Sequence, residues 1–296
     1  MLFLFVLYLF CEYYWKVQMF LSCFYCKTQI LSAMIVKYSF GKVIPMLAAE
    51  RRKKIIDLVH QDKRVLVSDL SKMFEVTEET IRRDLEKLEK DGILSRTYGG
   101  AMLNRHTNED LPFVTRNALN TDIKRGIALK ALDLINDGDT LMVDPSSTAF
   151  EFLKLLGNKN NLTIITNSIN ILHEFSNSGM DIISTGGSLR YRSLSLVGPV
   201  AHDTIQRYNV DTAVISCKGM DMERGITDSN EPECELKKYM LRQANKVILL
   251  ADHTKFDKTA FTKLVELAHI DFLITDRKPS EAWLKRLNED NIEVLY

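Results

Sequence analysis

TEETIRRDLEKLEKDG, residues 77–92, reads as one short amphipathic helix. Thr77 can cap it, and Glu78 and Glu79 place negative charge in the first turn, where the helix dipole favours it. Ile81, Leu85 and Leu88 recur at i, i+4 and i+7, which makes one apolar stripe. Gly92 follows Lys87 and Lys90 as a C-terminal stop. The opposite face carries Arg82, Arg83 and Glu86, with Thr80 near its start. Two adjacent arginines near a helix N-terminus suit guanine edges or phosphates in a DNA groove, although alone such a pair is usually a solvated face.

The surroundings sharpen that reading. Upstream, Ser68 can cap a short helix, DLSKMF, that turns Leu70, Met73 and Phe74 inward. Glu75 and Val76 then form a tight connection, so two helices meet across a short turn, as in a helix-turn-helix. Downstream, ILSRTYGGAML reads as strand, Gly99-Gly100 turn and strand, a hairpin wing able to lay Arg96 and Tyr98 along a DNA backbone. Before all of this, Glu50–His60 predicts a first helix with Ile55, Ile56 and Val59 facing inward and Leu58 beside them. Its RRKK run, 51–54, is expected on phosphates, which would make binding salt-dependent. Three helices and a wing in this order predict a winged helix-turn-helix.

Residues 46–104 resemble the DNA-binding domain of the DeoR family of bacterial transcriptional regulators. The resemblance rests on ERRKKIIDLV (50–59), VSDLSKMFEVTEETIRRDL (67–85) and GILSRTYGGA (92–101). It implies that Thr80, Arg82 and Arg83 turn toward operator DNA. The expected DNA-binding set is Arg51, Arg52, Thr77, Thr80, Arg82, Arg83, Arg96 and Tyr98.

The chain has 296 residues, enough for two domains with sizeable cores, and its 46% apolar and 26% charged content is that of a globular protein. Formal net charge is zero, so a DNA reader must concentrate its cations locally, as RRKK and the Arg82-Arg83 pair do. Five cysteines, at 11, 23, 26, 217 and 234, form no disulfide framework. Cys23 and Cys26 are a lone CxxC without a second pair, a poor zinc signal. No metal and no cofactor is expected, and a reducing, cytoplasmic setting fits.

Residues 1–45 stand apart. MLFLFVLYLF lacks a positive leader region, no small-residue cleavage site follows, and its ten apolar residues are too few to span a bilayer. Met46 opens MLAAERRKKI, a start common in the resembled family, so 1–45 are expected to be a wrongly assigned or disordered extension. A membrane anchor is the alternative. Residues 46–104 form the winged helix-turn-helix and 105–120, polar and broken by Pro112, a linker in which Phe113 and Arg116 anchor against the next domain.

Residues 121–296 alternate. TDIKRGIALKALDLI, STAFEFLKLL, SINILHEF and ECELKKYMLRQA read as helices. TLMVD (140–144), LTIITN (162–167), DIISTGG (181–187), DTAVISCKG (211–219), KVILLAD (246–252) and DFLITD (271–276) read as strands, with a final helix and EVLY after them. Near-continuously apolar strands separated by helices predict a mostly parallel α/β domain covered on both faces, with ligands at the strand C-termini.

Polar residues gather at those termini. Asp144-Pro-Ser-Ser-Thr148 leads from a strand into a helix, where backbone N–H groups and the hydroxyls of Ser146, Ser147 and Thr148 can cradle a phosphate. Thr166-Asn167-Ser168 ends the next strand, and Thr185-Gly186-Gly187 bends another so that a ligand can approach the backbone. Lys218-Gly219 and Asp252-His253-Thr254-Lys255 end two more, each with a cation. Any one of these is more often a cap or turn, but five at successive strand ends predict one site.

This half resembles the DeoR C-terminal sensor domain in TLMVDPSST, TIITNS, STGGSLR, SLVGP (195–199), RGITDSNEPE (224–233) with Lys237, ADHTKF and IDFLITD. The resemblance implies a fold shared with ribose-phosphate isomerases without their activity, and a phosphorylated sugar or related anionic metabolite as effector. The expected effector set is Asp144, Ser146, Ser147, Thr148, Asn167, Gly186, Gly187, Lys218, Glu233 and Lys255. Two positions depart from the family pattern. Pro145-Ser146 replaces the usual glycine and removes an N–H donor, and Lys218 replaces a small polar or acidic residue, favouring a more anionic effector.

These readings predict a sugar-operon regulator, a repressor acting as a homodimer or homotetramer on two-fold operator DNA, with no membrane partner. The competing class is an active sugar-phosphate isomerase carrying a DNA-binding appendage. It would need a general base, for which Asp221, Glu233 and Asp252 are the candidates.

Overall fold

The computed structural model describes residues 46–90, 93–103 and 110–296. The expectations for 1–45, for Cys23 and Cys26, for the Gly92 stop and for 104–109 lie outside these residues.

The first core is made by α1 (Ala48–Asp62), α2 (Val67–Phe74) and α3 (Glu78–Lys90), with β1 (Arg64–Leu66), β2 (Leu94–Thr97) and β3 (Gly100–Leu103). Ile55, Val59, Leu70, Ile81, Leu85 and Leu88 meet in one cluster, so the apolar stripe of residues 77–92 is the face that holds α3 down. The Thr77 cap forms, with Oγ1 accepting the Thr80 N–H at 3.3 Å. Glu75 takes a left-handed φ of 53° and closes α2. The hairpin gains a strand, giving an antiparallel order β1-β3-β2. Gly100 is needed there because any Cβ would sit 2.1 Å from the Val65 carbonyl oxygen.

Two local expectations are corrected. Strand β1, three residues long with a single buried side chain, is too short to show a period and was not anticipated. Because β1 runs straight into α2, that helix starts at Val67. Ser68 therefore lies in its first turn beside Asp69 and caps nothing, and Met73 points outward, 59% exposed.

The connection is also more ordered than a polar linker. It contains α4 (Phe113–Ala118), which starts directly after Pro112 and leads into α5 (Thr121–Ala131). Beyond it come β4 (Thr140–Val143), α6 (Ser147–Leu155), β5 (Thr163–Thr166), α7 (Ile169–Glu174) and β6 (Asp181–Ser184). A hairpin, β7 (Ser188–Arg190) and β8 (Ser195–Val197), precedes α8 (Pro199–Ile205) and β9 (Val210–Ser216). Next are β10 (Gly219–Asp221), β11 (Gly225–Asp228), α9 (Glu231–Arg242), β12 (Ala244–Leu250) and β13 (Thr262–Val265). The chain ends with β14 (Phe272–Ile274), α10 (Glu281–Glu289) and β15 (Glu293–Leu295).

The main sheet has the order β15-β14-β12-β9-β4-β5-β6, and every pairing in it is parallel. Alternate residues of each strand enter different clusters. Met142, Ala213, Ile215 and Leu249 pack on one face, and Leu141, Val143, Val214, Ile248 and Leu250 on the other. That explains why the strands read as unbroken apolar runs. Strand order reverses between β4 and β9, which puts the ends of these two neighbours at the place where open α/β sheets take ligands. The hairpin β7–β8, helix α8 and the antiparallel sheet β10-β11-β13 were not anticipated. Their strands have three or four residues, too few for alternation to register.

Candidate functional site

On α3, Arg82 and Arg83 are exposed, each paired one turn back with Glu78 at 2.6 Å and Glu79 at 3.1 Å. Such solvated i,i+4 pairs hold little energy, so the guanidinium groups are free to exchange carboxylate for phosphate or guanine. Thr77 and Thr80 share a 2.9 Å hydroxyl contact on the same end. In the wing Tyr98 stands fully in solvent, and Arg96 is held by Glu89 at 2.8 Å.

Arg51 is a correction to the expected set. It is 6% exposed, and its Nε donates to Asp84 of α3 at 2.6 Å. Arg52 reaches the other Asp84 oxygen at 3.2 Å. The RRKK run thus does not present four cations to solvent, because its first arginine fastens α1 to the buried side of α3.

At the β4–β9 reversal the structure separates supporting groups from unengaged ones. Asp144 is completely buried: Oδ1 accepts the Ser146 N–H at 3.1 Å, and Oδ2 accepts the Ser216 N–H at 3.1 Å and the Lys237 ammonium at 2.8 Å. The Ser146 hydroxyl caps α6 by accepting from the Ala149 N–H at 3.1 Å. Both residues were expected to meet ligand, and both instead build the N-terminus of α6. Lys237 also binds Asp228 and the Ser216 carbonyl, each at 2.8 Å. Burial alone would lower its pKa, but the carboxylates of Asp144 and Asp228 outweigh that and hold it well above the ordinary lysine range.

Three further expectations change. Gly187 has φ +113°, and a Cβ on it would lie 2.6 Å from the Val197 carbonyl oxygen, so its close neighbour is β8 of its own chain. Beside it, Gly186 at φ +63° sits near Val200. Asn167 is buried and donates through Nδ2 to the Leu196 carbonyl at 3.0 Å, fastening β8 to the end of β5. Glu233 accepts the Ser195 hydroxyl at 2.6 Å and Arg190 at 3.4 Å, which turns it toward the β7–β8 hairpin.

What remains is compact in type. The hydroxyls of Ser147 and Thr148, in residues 5% and 7% exposed, make no hydrogen bond among the described residues. The ammonium groups of half-buried Lys218 and Lys255, which follow β9 and β12, likewise donate no hydrogen bond among the described residues, although Lys255 lies near enough to Asp252 to lower its pKa. Burial, with Arg116 and Lys255 nearby, draws the Lys218 pKa down to about 8. Lys124 donates to the Arg116 and Leu119 carbonyls, and burial with Lys255 and Arg116 takes its pKa to about 7. Neither Arg116 nor Lys124 was anticipated here, since both lie far from the strand-end motifs in sequence. Lys124, Lys218, Lys255 and Arg116 thus lie within electrostatic reach of one another, with the Asp228 and Asp252 carboxylates among them.

The low pKa of Lys124 has a consequence for stability. Below pH 7 the folded and unfolded chains both carry its proton, whereas above pH 7 only the unfolded chain does, so stability rises with pH. Lys218 adds the same sign from about pH 8. Buried Cys217 and Cys234, with thiols pushed up to about 12, oppose this once free thiols ionise. The melting temperature is therefore expected to climb between pH 7 and roughly 8.5, and Lys124→Met to climb less. Parallel curves for parent and variant would contradict the assignment.

A cleft of about 440 Å³ lies elsewhere in this domain, lined by Asp110, Arg190, Arg192 and the Ser229–Pro232 start of α9, with Phe261. None of the strand-end lysines lines it. Among the described residues no group of histidine, cysteine and carboxylate side chains is placed to hold a metal, and no helix is long and apolar enough to cross a membrane.

Family models match both halves: a DeoR-like helix-turn-helix domain over residues 51–107 and a DeoR C terminal sensor domain over 119–277. The chain belongs to the DeoR family. An uncharacterized HTH-type transcriptional regulator of Bacillus subtilis, YulB, is 40% identical over 250 residues, 84% of this chain and 96% of that protein. The HTH-type transcriptional repressor GlcR of Bacillus subtilis is 36% identical over 251 residues, 84% of this chain and 96% of that protein. The L-fucose operon activator of Haemophilus influenzae is 36% identical over 228 residues, 77% of this chain and 91% of that protein.

This DeoR-family chain is a DNA-binding transcriptional regulator and not an enzyme. The three side chains weighed as general bases each accept hydrogen bonds within the fold. Asp221 accepts the Glu223 and Arg224 N–H groups at 3.0 and 2.9 Å in a turn, and Asp252 caps residues 253–255 through the Thr254 N–H at 2.8 Å. Glu233 is held by Ser195 and Arg190.

Proposed function

We propose that the protein reads operator DNA with Thr77, Thr80, Arg82 and Arg83 of α3 and with Arg96 and Tyr98 of the wing. A phosphorylated sugar or related anionic metabolite, held at the start of α6, alters that grip. Control is of a sugar operon, by repression, in a homodimer or homotetramer that matches two-fold operators. The observation that carries the reading is the set of unengaged groups at the strand reversal, namely the Ser147 and Thr148 hydroxyls with the Lys218 and Lys255 ammoniums. Four such groups beside a nine-residue helix suit a phosphate better than a neutral sugar.

Arg82→Ala or Arg83→Ala is expected to weaken operator binding by about 1–3 kcal/mol while leaving the effector response intact. Fluorescence anisotropy at fixed salt measures it, and parent-like affinity in both variants would remove α3 from the DNA. A thermal-shift screen of sugar phosphates against their unphosphorylated parents tests the second half. A ligand at a hundredfold its Kd stabilises by about 2.7 kcal/mol, and the shift should vanish in Ser147→Ala and Lys255→Ala. A shift given equally by parent sugar and phosphate would exclude α6 as a phosphate cradle.

A further inference from the structure

Residues 110–113 join the two cores at their closest sequence approach. Leu111, 8% exposed, packs into the winged-helix cluster, and Phe113, 5% exposed, packs into the sheet cluster. The Phe113 ring meets Phe150 of α6 edge to face, with centroids 5.4 Å apart. Arg116 of α4 donates through Nε to the Leu111 carbonyl at 3.1 Å.

The β7–β8 hairpin grips this connector from outside. The Phe113 N–H donates to the Arg192 carbonyl at 3.0 Å, and Arg192 Nη1 donates to the Asp110 carbonyl at 3.2 Å. Arg190 pairs with the Asp110 carboxylate through Nη2. Its Nη1 lies 2.9 Å from the Ser193 hydroxyl and 3.4 Å from Glu233 in the first turn of α9. The Asp110 and Glu233 side chains are 8% and 9% exposed, so one arginine ties two desolvated carboxylates from different elements. Such a link is rigid while both partners stay in place and costly to break at one side.

We propose that Arg190 is the positioning residue through which occupancy of the α6 site reaches the DNA-binding helix α3. This rests on the α6 N-terminus being the anion site. Coupling needs an element whose arrangement both sites bias. The connector is such an element, since Phe113 seats on the effector helix, Leu111 seats in the winged helix, and Arg190 sets the connector against α9. An anion beside Lys218 also acts on neighbouring Arg116, the donor to Leu111. Without Arg190 the anion still binds, but the connector no longer moves as a unit with the sheet domain.

Hydrogen exchange of the full chain, read by mass spectrometry, tests this with inorganic phosphate as probe and chloride at equal ionic strength as control. In the parent, phosphate should slow exchange at 147–152 and change it at 78–90. In Arg190→Ala the slowing at 147–152 should persist and the change at 78–90 should be lost. Asp110→Asn, which keeps side-chain shape, should show the same split if the alanine variant folds poorly. An unchanged response at 78–90 in both variants overturns the coupling role. Loss of slowing at 147–152 in Arg190→Ala overturns it too, because the arginine would then be an anion contact. No slowing at 147–152 in the parent would instead refute the α6 site on which the coupling depends.

Discussion

Lys237→Ala is expected to destabilise the sheet domain by about 3–5 kcal/mol, which for a domain of this size lowers Tm by roughly 10 °C. The reason is what the substitution leaves behind. Asp144 and Asp228 are both buried and both reach the Lys237 ammonium at 2.8 Å. Remove the ammonium and two carboxylates remain near each other with one buried counter-charge gone. Asp144 keeps its two backbone N–H donors, so the α6 N-terminus stays formed, but its charge stands uncompensated. Combining Lys237→Ala with Asp228→Asn should recover part of the loss, since one carboxylate is then neutral. Calorimetry of the three proteins decides it. A parent-like Tm for the single variant would mean that this triad contributes nothing to the fold.

Asp84→Ala is expected to abolish tight operator binding although Asp84 lies on the inner side of α3. Its carboxylate, 5% exposed, is the anchor for Arg51 and Arg52. Taking away one partner of a buried ion pair costs about 3 kcal/mol or more. A DNA-binding domain of this size is marginally stable, so a cost of that order unfolds a large fraction of it. The loss of affinity should exceed that of Arg82→Ala, while the response of the α6 site to phosphate is retained. Separate melting transitions for the two halves, with only the first displaced, would be the direct signature. Parent-like operator binding by Asp84→Ala would return Arg51 to the DNA surface.

The two corrections behind these predictions share a cause. Arg51 read as one of four cations in RRKK, and Asp144 read as the polar end of an apolar strand. Both readings use neighbours in sequence, whereas the true partners are distant: Asp84 lies 33 residues from Arg51, and Ser216 lies 72 from Asp144. Glu233 misled in the same way, for Ser195 is 38 residues before it. By contrast the side chains of Ser147, Thr148, Lys218 and Lys255 make no hydrogen bond to a distant group among the described residues.

By itself the sequence determined the helices of the winged helix-turn-helix, its wing and six of the seven strands of the main sheet. The helices rest on a repeat of apolar residues, as in Ile81, Leu85 and Leu88 of α3, the sheet strands on short apolar runs and the wing on its glycine turn, all local properties of the chain. Only the tertiary structure decided which polar side chains support and which stay unengaged. The reversal between β4 and β9 brings Asp144, Asp228 and Lys237 together, and burial makes the charges of that triad depend on one another.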